Sequence, residues 1–180
     1  MRRIVALLAL SFCCLLAALP PRAGAARGDE KEKEKEKAAL LAVGAPAPDW
    51  KLTDPLGRAH TLSEYRGKIV VLDFWATWCG PCARVMPRLE KLHRKYGGQG
   101  LVVFGVNSFE TGDPVSAMSR KGYTYTLLLK GEELAPAYGV ESLPVVYVIG
   151  ADGKVIYSHA GPDHKNLADV VEKHLAARGM

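Results

Sequence analysis

Trp78-Cys79-Gly80-Pro81-Cys82 lies two residues beyond Ile69-Val70-Val71-Leu72-Asp73-Phe74-Trp75. A nearly unbroken apolar run of that length is what a strand covered on both faces requires. A helix is expected over Pro81–Tyr96, since Val85, Leu89, Leu92, His93 and Tyr96 fall on one face and Arg84, Arg88, Lys91 and Lys95 fall elsewhere. Two cysteines two residues apart therefore stand where a buried strand hands over to a helix. Such a pair can close into a small disulfide ring and reopen. A ring this small restrains little of the unfolded chain, so stabilisation is a poor reason for it.

The thiolate, not the thiol, attacks a disulfide. Unpaired N–H groups at a helix start favour a negative sulfur there. Cys79, expected at the exposed edge of the helix, is the candidate nucleophile. Cys82, one turn inside, would resolve the mixed disulfide by attacking Cys79. Pro81 has no N–H to leave unpaired and suits a first helical turn. Asp73 is the anomaly of its strand, because a buried lone carboxylate is costly. If buried, it would hold its proton to near neutrality and could accept one from Cys82; an outward-facing Asp or a structural hydrogen bond are the alternatives. A metal is not expected: the Cys pair is half a zinc site, no second pair exists, and the five histidines (His60, His93, His159, His164, His174) show no ligand spacing. No cofactor is needed beyond the redox-active Cys79–Cys82 disulfide.

The rest of the chain divides into three parts. Residues 1–26 read as an export signal: Arg2-Arg3, the apolar stretch Ile4–Leu19, Pro20-Pro21, then small residues. The stretch is long enough for an uncleaved membrane anchor to be the alternative. Cys13 and Cys14 lie inside it, so the mature chain keeps only Cys79 and Cys82, in an oxidising compartment. Residues 27–42 are a Glu/Lys-rich, charge-balanced linker. Residues 43–180 are the folded domain. The formal charge of +5 falls to near +2 once Arg2, Arg3 and Arg22 leave with the signal. No basic face calls for nucleic acid. A monomer is expected.

Within the domain, short strands at Trp50–Leu52 and Ala59–Leu62 flank the turn Asp54-Pro55-Leu56-Gly57, and Ser63 is expected to cap a helical turn through Tyr65. Leu101–Val106 reads as a second buried strand. Asp113-Pro114 caps a helix to Lys121. A short strand at Tyr125–Leu129 and a weak helical turn at Glu132–Tyr138 follow. Strands Val145–Ile149 and Val155–Ala160 form a hairpin, and a last helix is expected over Asp163–Ala177 with Leu167, Val170, Val171, His174 and Leu175 on one face. This order predicts an α/β domain with a central mixed sheet, helices on both faces, a front hairpin and a strand/helix insert.

The stretch Asp73–Cys82, with Pro87 inside the helix, Pro144 before a strand and Gly161 after the last one, closely resembles the thioredoxin superfamily. The export signal, front hairpin and insert are similar to its exported TlpA/ResA branch. The resemblance implies a thioredoxin-like fold and thiol-disulfide exchange with protein substrates. It implies that Pro144 is cis beside the cysteines, that the Leu143 backbone pairs with the client chain, and that Trp78, Gly80, Pro81 and Gly161 help to bind it. Gly-Pro between the cysteines is similar to the reducing members. A reductant outside the cytoplasm would draw electrons from a membrane partner of the DsbD or CcdA type. Cytochrome c maturation is among the roles of that branch, but this chain departs from the branch and the wider family. Val85 stands where many branch members have Glu, Val145 where Thr is common, and Gly105 where thioredoxins place a basic partner for the Asp. The other readings are a thiol peroxidase of peroxiredoxin type, whose Thr spacing Thr77 does not match, and a Cu(I)-binding module.

Overall fold

A computed structural model describes residues 39–177. The export signal and most of the Glu/Lys linker lie outside the described residues, as do residues 178–180. Two strands, β1 (Lys51–Thr53) and β2 (Ala59–Thr61), form an antiparallel hairpin. Then come β3 (Ile69–Trp75), α1 (Cys82–Tyr96), β4 (Leu101–Asn107), α2 (Pro114–Lys121), β5 (Thr126–Leu128), β6 (Val145–Ile149), β7 (Val155–Ala160) and α3 (Leu167–Ala176). The main sheet has the order β5-β4-β3-β6-β7. Strands β3, β4 and β5 run parallel, as strand-helix-strand connections require, and β6 and β7 run antiparallel to their neighbours.

Every residue of β3 is buried, because this strand is central and both of its faces are covered. Side-chain alternation divides it. Ile69, Val71 and Trp75 face one core with Val85, Leu89 and Leu92 of α1, Met118 of α2, and Leu167, Val171 and Leu175 of α3. Val70, Leu72 and Phe74 face the other, with Trp50, Leu52, Phe104, Tyr138 and Tyr147. That second face is covered by the hairpin and by 3-10 turns at Leu62–Tyr65 and Ala135–Tyr138 rather than by α-helices. Asp73 shares the parity of Ile69, Val71 and Trp75, so it points to the face that α1 covers.

Several expected boundaries shift for physical reasons. Leu40 and Leu41, assigned by composition to the linker, pack on the second core. Leu41 N donates to Tyr147 Oη at 2.9 Å and its carbonyl accepts from Ser158 Oγ at 2.9 Å. The turn before β3 is capped at Thr61, not Ser63. Glu64 reaches back to the Thr61 N–H at 2.9 Å, while Ser63 N donates to Asp49. The last helix begins at Leu167 because the preceding residues turn around a buried His164, whose Nδ1 lies 3.1 Å from Tyr157 Oη.

Tyr147 carries its hydroxyl deep in the core. It donates to the Tyr138 carbonyl and accepts from Leu41 N. Tyr147→Phe should strand both groups and lower stability by about 1–3 kcal/mol, read as a lower midpoint in urea unfolding with an unchanged slope.

Candidate active site

The two cysteines are joined as a disulfide, with Cα atoms 5.4 Å apart. Helix α1 begins at Cys82, with Pro81 as its N-cap. Cys79 therefore precedes the helix, and its sulfur faces the first helical N–H: Cys82 N donates to Cys79 Sγ at 3.2 Å. This is the electrostatic arrangement that favours a thiolate on Cys79. Cys82 is 1 % exposed and Cys79 6 %. Cys79 is thus less open than the sequence suggests, because its sulfur is bonded to Cys82 and packed into the α1 core. Its remaining surface faces an open pocket of about 200 Å³, lined also by Trp75, Ala76, Ala83 and Met86. Trp78, 56 % exposed, projects beside it.

The Leu143–Pro144 peptide is cis, and Pro144 leads directly into β6, whose Val145 pairs with Phe74. The register sets Pro144 beside the C-terminal end of β3, where the cysteine loop begins. Gly161 N donates to the Pro144 carbonyl at 2.8 Å. Gly161 does so at φ +93°, a left-handed conformation that a side chain would strain.

Asp73 is completely buried, and no protein group among the described residues hydrogen-bonds either carboxyl oxygen. It is not outward-facing, and among the described residues it is not a structural hydrogen-bond partner. Burial pushes its carboxyl up to about 8. The residue directly opposite it on β4 is Gly105. A Cβ there would lie 2.9 Å from Trp75 Nε1 and 2.9 Å from the Tyr125 ring, so aromatic side chains fill the place that a basic partner would need.

Glu110 was missed by sequence reading and holds the loop that presents Cys79. Its Oε2 accepts from Thr77 N at 2.9 Å and Asn107 Nδ2 at 2.6 Å. Its Oε1 accepts from Thr77 Oγ1 at 2.6 Å, Thr111 N at 2.8 Å and Gly112 N at 2.7 Å. Beside it Trp78 Nε1 donates to the Phe109 carbonyl at 2.8 Å, and Ser108 N donates to the Trp75 carbonyl at 2.9 Å. Partial burial alone would raise the Glu110 carboxyl, but the bonds from Thr77, Asn107 and Gly112 overcome it and bring it down to about 2. One signal was available: an acid just past the C-terminal end of a parallel strand, where open α/β sheets build their sites. No cluster of three or more His, Cys, Asp or Glu among the described residues is arranged to hold a metal.

A disulfide-linked cysteine pair at a helix start, beside a cis-proline loop on a five-strand mixed sheet, defines the class: a thioredoxin-like thiol-disulfide oxidoreductase. The chain belongs to the AhpC/TSA family, whose model matches residues 43–158. It is 42% identical over 117 residues to "Thiol-disulfide oxidoreductase ResA" of Geobacillus thermodenitrificans, covering 64% of this chain and 67% of that one. It is 39% identical over 137 residues to the ResA of Geobacillus kaustophilus, covering 75% and 77%. Among solved structures it is similar to a thiol:disulfide interchange protein of the thioredoxin family from Chlorobium tepidum, with TM-score 0.65 and 26% identity, covering 76% of this chain and 99% of that one.

Two predictions concern the carboxylates. Glu110→Ala should cost about 2–3 kcal/mol by leaving several donors without their acceptor. The folded Glu110 carboxyl lies below its ordinary value, so its contribution is complete above about pH 4.5 and is lost as pH falls through about 2. Acid unfolding of the variant should therefore lack that limb. Asp73 has the opposite sign: its folded value lies above the ordinary one, so stability falls as pH rises from about 4 through about 8. Asp73→Asn should flatten this slope and stabilise the oxidised protein, by on the order of 3 kcal/mol at pH 8, measured by denaturant titration across pH.

Proposed function

We propose that the chain is an exported reductase of protein disulfides that passes electron pairs through Cys79 and Cys82. The observation that carries this reading is the asymmetry of the pair: Cys79 borders an open pocket at a helix start, and Cys82 is sealed behind it. In the reduced protein the Cys79 thiolate attacks one sulfur of the client disulfide. A Cys79–client bond forms, the client S–S bond breaks, and one client sulfur leaves and takes up a proton. Cys82 then gives its proton to the ionised form of Asp73 and attacks Cys79 Sγ. The mixed disulfide breaks, the second client sulfur leaves and is protonated, and the protein ends as the Cys79–Cys82 disulfide. The client has gained two electrons from the protein and two protons, the first from solvent and the second the Cys82 proton handed on by Asp73.

Asp73 suits the second step because its carboxyl, held at about 8 by burial, exchanges a proton near neutrality. An extended client strand would pair with the Leu143 backbone, and the cis peptide before Pro144 supports that reading. Export rests on residues 1–26, whose positive start and apolar stretch have the form of a signal; they serve as an anchor if they are not cut. No helix among the described residues is long and apolar enough to cross a membrane. Gly80-Pro81 favours reduction, and the electrons would return from a membrane dithiol donor of the DsbD or CcdA type. The ResA relatives and the TlpA/ResA resemblance support this branch. The peroxidase alternative is disfavoured by Thr77, whose hydroxyl is engaged by Glu110 rather than aimed at Cys79.

The reduced full chain should cleave the disulfides of insulin, followed as turbidity. Cys79→Ser should abolish this, and an active variant rules the mechanism out. Cys82→Ser should instead accumulate a client joined to Cys79, seen as a dithiothreitol-sensitive band.

A further inference from the structure

The pocket beside Cys79 has a charge that the exchange chemistry does not use. Its inner walls are apolar: Trp75, Ala76, Ala83, Met86 and Ala117. Arg120 and Lys121, from the last turn of α2, line it together with Tyr123. Both cations are exposed, and neither side chain makes a hydrogen bond or close ion pair among the described residues. Arg120 feels the charge of Asp113, but both Asp113 oxygens are held by Ser116. The acid nearest the pocket's Thr77 wall is Glu110, whose oxygens are occupied by the donors of its own loop. Two cations without a close acidic partner thus stand over an apolar floor, next to the sulfur that meets the client.

We infer that this pocket selects clients with an acidic residue beside the disulfide cysteine. The inference rests on the reductase reading and names its substrate class. About 200 Å³ is room for one side chain rather than a folded surface. A Glu has the matching shape: its methylenes cover Ala83, Met86 and Ala117, and its carboxylate reaches Arg120 and Lys121. A Lys at the same place would meet two like charges. The covalent step is the one already described, with Cys79 attacking the adjacent client sulfur and Cys82 releasing it; the pocket adds only orientation and encounter. Rim cations of this kind act through screened attraction, so salt should weaken the selection.

The test uses the reduced full chain and three oxidised peptides that differ only in having Glu, Gln or Lys beside the disulfide cysteine. The Glu peptide should be reduced with kcat/KM roughly five- to tenfold above the Lys peptide at low salt, the Gln peptide lying between them. The difference should sit in KM and shrink at about 0.5 M salt. In the double variant R120E/K121E the order should reverse. Equal rates for the three peptides, or a Glu preference that persists in R120E/K121E, overturn the inference and leave the reductase reading intact. If none of the peptides is reduced, both readings fall.

Discussion

The parallel pairing of β3 with β4 holds the site together. It runs unbroken from Ile69 opposite Leu101 to Trp75 opposite Asn107, so both strands end at the same level. The loop that carries Cys79 and the loop that carries Glu110 therefore leave the sheet side by side. Were the register to slip by one residue, Asp73 would turn to the opposite face, away from the one that α1 covers. The same pairing puts Gly105 across from Asp73, so the aromatic rings of Trp75 and Tyr125 close over the strands there.

Two carboxylates near these strand ends are driven in opposite directions by their surroundings. Asp73 is fully buried with no hydrogen-bond donor among the described residues, and it keeps its proton to about 8. Glu110 is partly open and surrounded by donors, and it keeps its charge down to about 2. The first can exchange a proton near neutrality. The second is suited to holding backbone in place, since a permanently charged acceptor makes the stronger hydrogen bonds. One chemical group fills both roles, and environment alone separates them.

The pocket beside Cys79 is shared by α1 and the α2 insert. Helix α1 contributes Ala83 and Met86 from the turn after Cys82, and the α2 insert contributes Ala117, Arg120 and Lys121. The insert does more than lengthen the connection between β4 and β5. Its start is tied to the cysteine loop through Glu110, and its end sets charge over the sulfur's approach.

Local pattern determined much of this protein. The apolar run Ile69–Trp75, the Asp113-Pro114 cap, the strands Val145–Ile149 and Val155–Ala160, and the Cys-Gly-Pro-Cys turn carry their structure in nearest neighbours, and each stands where periodicity and turn chemistry put it. The reactive pair was legible for the same reason, because two residues of spacing already bring the sulfurs together. What only the tertiary structure decided involves partners far apart in sequence. Leu41 joins the domain through Tyr147 and Ser158, and the shielding of Cys79 comes from core contacts. The solitude of Asp73 follows from Gly105 across the sheet, and Thr77 meets Glu110 only because β3 and β4 end together. No local period records which loops a sheet brings to one edge, so a glutamate in an insert looks like any solvated acid until the strands are paired.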